Sequence, residues 1–564
     1  MNAPSRGPVH TAAKPQSINP SFMKNTLFPQ GMACVLLSTG VAFAQQTPPD
    51  AGQILQQVTP PASALPQGGQ APRVPAPAPT QTEPGGPEVS ITELRFSGNT
   101  VFDSAQLQAV VAAEVGGDPL DMAGLEKLAD RISAYYRAAG YPFATAFLPE
   151  QRLDDGLLTI EIIEGRYGRV QVQGEHEVRV RQAQRYLDQL VPGQVIAGPP
   201  LERATLLLND LPGVQADAVL SPGQADGEGD LTVSLLPDAR TYSLEAGVDN
   251  HGGYYSGLWR TRAILSVNSP FMLGDQFTAQ GLHTDSNLWM GSLNYSVPLG
   301  AKGWRGTVGY AKTRYVLGRD FAGSEGTAKV SSVGARYALL RSLRSNVMVS
   351  ATLQEKKLYN YHDPSGMIEQ YSSRGLPVVL QFDHIDSWGS TVGGLTWTEG
   401  SLDKDDAVTR GHFRKVELDL IRYQDLTSSF SLFGRFRKQT ANKNLDSSER
   451  MSLGGATGVR AYAASEGFGD EGWLAQLELR YAHGDAMLYA FYDHAHIRVN
   501  AQPDLVELPS PNVKKAGAGF GMRYQAPKWV LDTSLAWRTQ GGVPTSEGSR
   551  DPKPRAWVNW TYRF

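Results

Sequence analysis

From Tyr242 to the C-terminus, apolar and polar residues alternate in short runs separated by Gly, Asn, Asp and Pro. The run Trp473–Tyr481, WLAQLELRY, puts Trp, Ala, Leu, Leu and Tyr on one face and Gln, Glu and Arg on the other. A period of two residues predicts β-strands rather than helices. Each run has an apolar face with aromatic residues near its ends and a polar, charged face.

Strands of this kind suit a sheet that lies between lipid and a wet interior. Backbone groups in lipid must be paired within the protein, so such a sheet has to close on itself. We therefore predict a transmembrane antiparallel β-barrel of about 16 strands over residues 239–564. The alternative is a large soluble β-structure such as a propeller. No blade repeat is visible, however, and the chain ends on Phe564 within an alternating strand.

The N-terminus has the pattern of a secretory signal peptide. Lys24 precedes the apolar stretch MACVLLSTGVAFA, which ends in a small-x-small motif. We predict a signal peptide over residues 1–44, with Met1 or Met23 as the start. The only cysteine, Cys34, lies in this segment, so the mature chain would have no thiol. Cleavage would also take the formal net charge from −4 to −7, whereas nucleic-acid-binding proteins are usually basic.

Two segments separate the signal peptide from the first folded unit. Residues 45–60 include the stretch DAGQILQQV, which has helical potential, and residues 61–88 are a Pro-rich linker that excludes helix and sheet. A short helix on such a tether is one interpretation, namely a mobile element. A disordered N-terminal tail is the other, and both remain open at this point.

Residues 89–165 and 166–238 share one order of elements, β-α-α-β-β. The second helix of the first unit carries apolar residues at helical spacing from Leu125 to Tyr136. A repeat of about 75 residues predicts tandem modules. Each module has enough residues for only a small core, which favours binding modules over enzymes. The chain has no GxxxxGK[ST], HExxH, CxxC or GxSxG motif.

A glycine-rich stretch, GGATGVRAYAASEGFGDEGW, lies between two strands from Gly454 to Trp473. Tandem β-α-α-β-β modules ahead of a barrel resemble the polypeptide-transport-associated (POTRA) domains of the Omp85 superfamily. The sequence GVRAY resembles the Val-Arg-Gly-Tyr/Phe loop signature of that superfamily. Two modules, a Pro-rich linker after a short helix, and GFGDEGWLAQLELRY are similar to the two-partner secretion transporters of the ShlB/FhaC/HecB type. The resemblance covers nearly the whole mature chain.

The loop signature falls on Val459, Arg460, Ala461 and Tyr462. The usual glycine after the arginine is Ala461 here. A positive φ would strain an alanine by about 1 kcal/mol or more, so we expect an ordinary backbone conformation at this position.

The resemblance implies that residues 441–472 fold back into the barrel lumen, where Arg460 pairs with an aspartate on the wall. The matching strand is LYAFYDHAHI, with Phe491, Asp493 and Ala495 in place of the pattern Phe/Gly-x-Asp-x-Gly. A period of two puts these three residues on one face, toward the lumen. The alternative for Arg460 is a solvated charge in a surface loop.

Two further patterns were considered as sites. His494 and His496 share the opposite face of that strand, but two ligands without a third make a poor metal site, so no metal is expected. The run AGAGFG, Ala516–Gly521, has glycines spaced as in a phosphate loop but no following helix. It is interpreted as small residues where a strand bends.

The resemblance also implies a function and partners. A transporter of this type recognises a large, unfolded, β-rich exoprotein (TpsA-like, similar to haemolysins or adhesins) in the periplasm. It secretes this partner through its barrel pore, which is type V, two-partner secretion. The helix in residues 45–60 would plug the pore at rest. No catalytic residue, cofactor, nucleotide or nucleic acid is implied.

Outer-membrane lipids and the barrel assembly machinery are the other expected partners. The assembly machinery reads a C-terminal aromatic strand, here with Trp560, Tyr562 and Phe564. An insertase that assembles other outer-membrane proteins is the alternative within the superfamily, and two modules rather than five count against it. A passive porin has no use for two binding modules, and an enzyme anchored by a barrel would need a catalytic domain that the chain lacks.

Overall fold

A computed structural model describes residues 48–58, 85, 87–115, 117–153, 156–237, 240–506 and 512–564. The predicted signal peptide (1–44) and most of the predicted linker (61–84 and 86) lie outside the described residues. Among the described residues, no helix has both the length and the apolar character needed to cross a bilayer.

The first element is a short helix, α1, which spans Ala51–Val58. Asp50 caps it, because its side chain accepts a hydrogen bond from the backbone N–H of Gln53 at 2.9 Å. Four apolar side chains of α1 pack against the rest of the chain in a single cluster. These residues, buried against the barrel interior, are Ala51, Ile54, Leu55 and Val58.

Two small modules follow, each with a three-stranded sheet and two helices. The first has the order β-α-α-β-β, with β1 (Glu93–Ser97), α2 (Ser104–Val110), α3 (Met122–Ala138), β2 (Thr145–Phe147) and β3 (Leu157–Ile163). The second repeats it, with β4 (Arg166–Gln173), α4 (Glu177–Leu187), α5 (Gly198–Asn209), β5 (Ala216–Pro222) and β6 (Glu228–Leu235). The sheet orders are β1-β3-β2 and β4-β6-β5, so the last strand is central in each.

The helices of the first module form where the sequence predicts them. Asp103 and Gln106 make a capping box at the start of α2, and Asp121 caps α3. The residues from Leu125 to Tyr136 at helical spacing are buried in the module core.

Sixteen strands form a closed antiparallel barrel, which confirms the predicted fold class. The bounds are β7 (Tyr242–Asp249), β8 (Arg260–Asn268), β9 (Gln276–Thr284), β10 (Trp289–Pro298), β11 (Trp304–Val316), β12 (Glu325–Arg341), β13 (Ser345–His362), β14 (Met367–Asp386), β15 (Gly389–Asp403), β16 (Gly411–Asp425), β17 (Phe430–Ala441), β20 (Glu471–His483), β21 (Ala486–Arg498), β22 (Val513–Gln525), β23 (Trp529–Gln540) and β24 (Arg555–Arg563). The strands pair in chain order, and β24 pairs with β7 to close the sheet.

The two faces of the barrel wall differ as the alternation predicts. On β20, Leu477 and Leu479 point outward and are about half exposed, whereas Gln476, Glu478 and Arg480 point inward and are buried. The inner polar residues are buried because other parts of the chain fill the lumen.

The second module is fixed to one rim of the barrel. Arg341, at the end of β12, makes two hydrogen bonds to the carboxylate of Asp210, at 2.7 and 2.8 Å. Arg203 on α5 donates to the carbonyl of Ala338 at 2.7 Å. Leu273, in the turn between β8 and β9, belongs to the module core. These contacts mark this rim as the end from which the modules project.

The buried carboxylate of Glu164 holds together three parts of the first module near its junction with the second. Glu164 accepts hydrogen bonds from the backbone N–H groups of Thr100 (2.6 Å) and Val101 (2.7 Å), and from the phenol of Tyr136 (3.0 Å). Burial acts to raise the pKa of Glu164, but the hydrogen bonds from Thr100 and Val101 outweigh it and hold this pKa below its usual range.

We predict that Glu164→Gln destabilises the first module by about 1–3 kcal/mol, because hydrogen bonds to a charged acceptor are lost. Amide hydrogen exchange of residues 98–103 in the full-length protein measures this. The pKa of Glu164 is lower in the folded state than in the unfolded state. Its contribution to the stability of the module is therefore complete above its pKa in the unfolded chain, about 4.3, and is lost as the pH falls through its pKa in the folded module. Glu150→Gln, at an exposed carboxylate, is the control, and equal exchange in both variants would contradict the prediction.

Candidate functional site in the barrel lumen

The segment between β17 and β20, residues 442–470, turns inward and occupies the lumen. It contains a two-stranded hairpin of β18 (Met451–Ser452) and β19 (Phe468–Gly469). Beyond the hairpin, the backbone N–H of Val459 donates to the carbonyl of Leu453 at 2.7 Å, and that of Tyr462 to the carbonyl of Val459 at 3.0 Å. The tip of the loop is therefore a compact turn, held by its own backbone.

Close backbone contacts explain why this turn is rich in glycine. A β-carbon on Gly458 would overlap the carbonyl oxygen of Leu453, and one on Gly454 would overlap that of Ala463. Gly455 has φ of +101°, a conformation that costs glycine little.

Arg460 lies at the tip, between two carboxylates of the barrel wall. Its guanidinium donates to both oxygens of Asp493 on β21, at 2.9 and 2.7 Å, and to Glu478 on β20 at 2.5 Å. The backbone N–H of Arg460 also donates to Asp493, at 3.0 Å. The guanidinium carbon lies 3.5 Å from the centre of the Phe491 ring, which adds a cation–π contact.

The surroundings of this ion pair are dry. Arg460 is 6 % exposed, Glu478 is 5 % exposed and Asp493 is fully buried. Removing one partner of such a pair leaves a buried charge uncompensated, at a cost of about 3–5 kcal/mol. The structure thus favours the buried pair over a solvated surface-loop charge for Arg460.

The other residues of the loop signature pack around the arginine. Val459 and Tyr462 are fully buried in a cluster that includes Phe491 and Ala495. The phenol of Tyr462 donates to the carbonyl of Gln540 at 2.7 Å. These contacts join the loop tip to β21 and β23.

Ala461 does not have a positive φ, in agreement with the expected ordinary backbone. Its side chain is buried against Gly517 on β22, where a β-carbon would overlap that of Ala461. Gly517 begins the run GAGFG, in which Gly519 and Gly521 likewise leave room for Phe491 and Tyr489. A register shift between Ala516 and Gly517 also bends the strand. The glycines therefore make space for the loop in addition to the predicted bend.

Several contributors to the site were missed from the sequence. Glu478, the second carboxylate, is held by Arg480 at 2.8 and 2.6 Å. Gln476 donates to the carbonyl of Gly458 at 2.9 Å, and the indole N–H of Trp557 donates to that of Arg460 at 2.6 Å. The alternation had already placed Gln476, Glu478 and Arg480 on the lumen face, but it gives no register across strands.

The histidines and the C-terminal strand lie away from the lumen site. His494 points outward, with its ring 5.1 Å from that of Trp473, and the described ranges contain no group of three or more metal-binding side chains. Trp560 and Phe564 are exposed on the outer face, and the ring of Tyr562 lies 4.7 Å from that of Phe564.

Helix α1 also lies within the lumen, at the end away from the modules. Ile54 is fully buried in a cluster with wall residues from the far ends of several strands, among them Tyr315, Leu358 and Tyr371. The backbone N–H of Ala51 donates to the side chain of Asn360 at 2.8 Å.

Helix α1 touches the lumen loop directly. The side-chain amide of Gln56 donates to the carbonyls of Ser447 (2.8 Å) and Arg450 (2.7 Å). Nearby, Glu449 of the loop is buried and pairs with Lys356 at 2.6 Å and Lys415 at 3.2 Å. The helix, the loop and the wall are thus in one contact network.

We predict that Arg460→Ala frees the loop tip while the barrel stays folded. Amide exchange at residues 453–463 should accelerate by a factor that corresponds to about 3–5 kcal/mol, because the buried Asp493 loses its cation while Glu478 keeps only Arg480. The exchange rate in Arg460→Lys should lie between those of wild type and Arg460→Ala, since a single ammonium cannot reproduce the forked contacts of the guanidinium. Arg435→Ala is the matched control, because Arg435 makes a similar two-bonded pair with Asp419 on the wall but holds no loop. Unchanged exchange in Arg460→Ala would contradict the prediction.

Comparisons with known proteins agree with this architecture. Residues 227–524 match the family described as haemolysin secretion/activation protein ShlB/FhaC/HecB, and residues 89–165 match the ShlB-type POTRA domain. The heme/hemopexin transporter protein HuxB of Haemophilus influenzae (strain 86-028NP) is 27 % identical over 474 residues, which cover 79 % of this chain and 82 % of that protein.

Two further relatives are transporters of the CdiB type. The outer membrane transporter CdiB of Dickeya dadantii (strain 3937) is 25 % identical over 447 residues, which cover 74 % of this chain and 78 % of that protein. The solved structure of CdiB from Escherichia coli aligns with a TM-score of 0.69 at 20 % identity, covering 86 % of this chain and 93 % of the other; this likeness is one of fold.

The family match spans more than half of the chain. Together with the closed barrel and the POTRA modules at one rim, it assigns the barrel to the outer membrane and the modules to the periplasm. The chain belongs to the ShlB/FhaC/HecB family of haemolysin secretion/activation proteins and is an outer-membrane transporter of two-partner secretion, which acts with a secreted partner protein.

Proposed function

We propose that this transporter captures an unfolded, β-rich, haemolysin- or adhesin-like partner on a free sheet edge of its second POTRA module. The partner then passes through the lumen once α1 and the loop tip have moved. The observation that carries the proposal is that the lumen is closed by two segments of the chain itself, α1 and residues 442–470, held by non-covalent contacts.

The edge of β5 is the best site of capture. Asn209 occupies the first position of this edge, since its side chain bonds both the N–H (2.8 Å) and the carbonyl (3.0 Å) of Ala216. Backbone groups on an antiparallel strand alternate in direction, so those of Ala218 and Leu220 also point away from β6. An extended segment of the partner can add to this edge as a further strand.

The opposite edge of the same sheet is already occupied. Gln184 on α4 bonds the N–H of Val172 (2.8 Å) and the carbonyl of Val170 (3.1 Å) on β4. In the first module, the N–H of Ala146 on β2 bonds to Ser133 at 2.8 Å. The contrast supports β5 as the docking edge.

Helix α1 acts as the plug in this proposal. It has no charged side chain, and its carbonyl at Gln57 accepts a hydrogen bond from Arg260 at 2.8 Å. The predicted linker of residues 61–88 then joins it to the first module. A partner that binds the modules is therefore connected to the plug helix through residues 61–88.

The proposal includes no catalysis and no cofactor. Free energy for export comes from the partner itself, through its folding outside the cell. During its own biogenesis, the barrel presents Trp560, Tyr562 and Phe564 to the barrel assembly machinery, and its outward apolar face contacts outer-membrane lipids. The lumen arginine Arg460 and its wall partners Phe491 and Asp493 set the resting position of the loop.

The test of capture is the export of a β-rich candidate exoprotein that is co-expressed with the transporter, measured in culture medium. We predict that Ala218→Pro lowers export at least about tenfold, because proline removes the outward N–H without removing a bond to β6. Ala218→Ser keeps the N–H and is the control. Barrel levels in the outer membrane are measured alongside. Normal export with a loss of other outer-membrane proteins would favour the insertase alternative instead.

The plug role of α1 leads to a second prediction. Ile54→Asp should raise the ion conductance of the purified transporter in planar bilayers several-fold, because burying a carboxylate there costs several kcal/mol and drives the helix out. Gln53→Asp adds the same charge at a half-buried neighbour and is the control. Equal conductance in Ile54→Asp and wild type would contradict a plug.

A further inference from the structure

Three lysines form a row on the outer face of the barrel. Lys312 on β11 lies directly opposite Lys329 on β12, which lies directly opposite Lys357 on β13. Lys312 lies two residues from the exposed Tyr310, so period two places the row outside. Directly opposed side chains in a sheet have their β-carbons about 4.5–5.5 Å apart, and like charges there are destabilising.

The row lies at the level of the lipid headgroups. Trp304, at the modules' end of β11, stacks on Tyr337 with ring centres 4.6 Å apart and belongs to the periplasmic aromatic girdle. From Trp304 to Lys312 the strand rises about 26 Å, or about 20 Å along the barrel axis at a tilt of about 40°. The apolar band of such barrels is about 25 Å tall, so the backbone of Lys312 lies about 5 Å inside its outer edge, and the extended side chain brings the ammonium to the outer-leaflet interface.

Neighbouring charges are mostly paired among themselves. Arg314 pairs with Glu325 (3.3 Å), Arg374 with Glu355 (3.0 Å), and Arg414 with Glu399 (2.6 Å) on the outer face of β11 to β16. Lys357 shares Glu355 at 3.5 Å. Across the described part of the chain, Lys312 and Lys329 have no carboxylate within ion-pair distance. Asp403 is the remaining outward carboxylate, two strands away from Lys357 in the same row.

An apolar trough lies beside the lysines. It has a volume of about 1100 Å³ and runs across β11 to β16. Val308, Tyr310, Val333, Leu353 and Leu376 line its apolar part, and the ion pairs Arg374–Glu355 and Arg414–Glu399 line the rest. The apolar side chains are outward and 38–59 % exposed. On the row itself, the β10 position facing Lys312 is Gly291 and the next on β9 is Gly281, neither of which has a side chain. The ammonium of Lys312 lies 5.6 Å from the centre of the Trp289 ring on β10, an interfacial aromatic residue.

We propose that this face binds the phosphate-bearing glycolipid of the outer leaflet, with its phosphates on Lys312, Lys329 and Lys357 and an acyl chain in the trough. The match is one of charge and shape: two lysines without a carboxylate partner and a third that shares Glu355 with Arg374, beside a groove whose β11–β14 part is apolar. The proposal rests on the outer-membrane location of the barrel and is independent of the secretion mechanism.

The test uses full-length transporter purified in a neutral detergent and bis-phosphorylated lipid A as the probe. Bound lipid is counted by native mass spectrometry over a lipid titration. The variant is Lys312→Gln/Lys329→Gln/Lys357→Gln. The control, Lys438→Gln/Lys514→Gln/Lys553→Gln, removes the same charge elsewhere toward the extracellular end.

The proposal requires half-saturation by lipid A to need at least about tenfold more lipid in the variant, since each lysine contributes a factor of about five. The control should bind as wild type does. Dephosphorylated lipid A should bind wild type as weakly as bis-phosphorylated lipid A binds the variant. Equal binding by variant and wild type would overturn the proposal.

A parallel titration with phosphatidylglycerol distinguishes the source of the phosphate. If phosphatidylglycerol binds as strongly as lipid A and its binding falls equally in the lysine variant, the assignment to the glycolipid is overturned. An acyl-chain test uses Leu353→Asn/Leu376→Asn, at two trough walls, which should weaken lipid A binding while leaving the lysines in place. Export of the partner is measured for each variant, and normal export with lost lipid binding is the expected outcome.

Discussion

Closure of the sheet is the constraint on which the rest of this structure depends. In lipid, an unpaired strand edge has no water to satisfy it, so β24 must find β7, and sixteen strands then fix the width of the lumen. A lumen of that width is too large for wall side chains alone to fill. The chain fills it with α1 and residues 442–470, and the wall residues that face them are consequently buried polar groups with specific partners.

Charge balance explains why the loop enters as it does. Without the loop, the wall would present Asp493 and Glu478 with Arg480 as the only cation of the cluster. Arg460 brings the second positive charge and contacts both carboxylates. The inserted loop thus neutralises a wall that is otherwise unbalanced. Because the guanidinium forks between two strands, it also fixes the orientation of the tip, which a point charge on lysine would not do.

The architecture could be predicted from the sequence because two local properties determine it. The alternation of apolar and polar residues predicts strands, and the absence of water in lipid requires the sheet to close. Asp493 could be predicted only through the family resemblance, since period two assigns a face but not a depth or a register. Glu478 was on the correct face, yet its approach to Arg460 depends on the pairing of β20 with β21. The position of α1 in the pore was likewise implied only by the resemblance, because its apolar surroundings consist of single lumen residues such as Leu282, Leu358 and Leu402 on different strands. Each of these is an isolated exception to a polar face, and only the folded barrel collects them.

The two elements in the lumen are held by different kinds of interaction, and this sets the order in which they can leave. Helix α1 has no charged side chain and is held by the burial of apolar residues and by hydrogen bonds with Asn360, Arg260 and the loop carbonyls of Ser447 and Arg450. Its release therefore uncovers no charged side chain of the helix. Arg460, by contrast, cannot leave without exposing a buried carboxylate pair to an empty lumen. In the proposed export route, a partner that enters from the periplasm therefore displaces α1 at lower cost than the loop tip, which moves only if the incoming chain or water replaces the charge of Arg460.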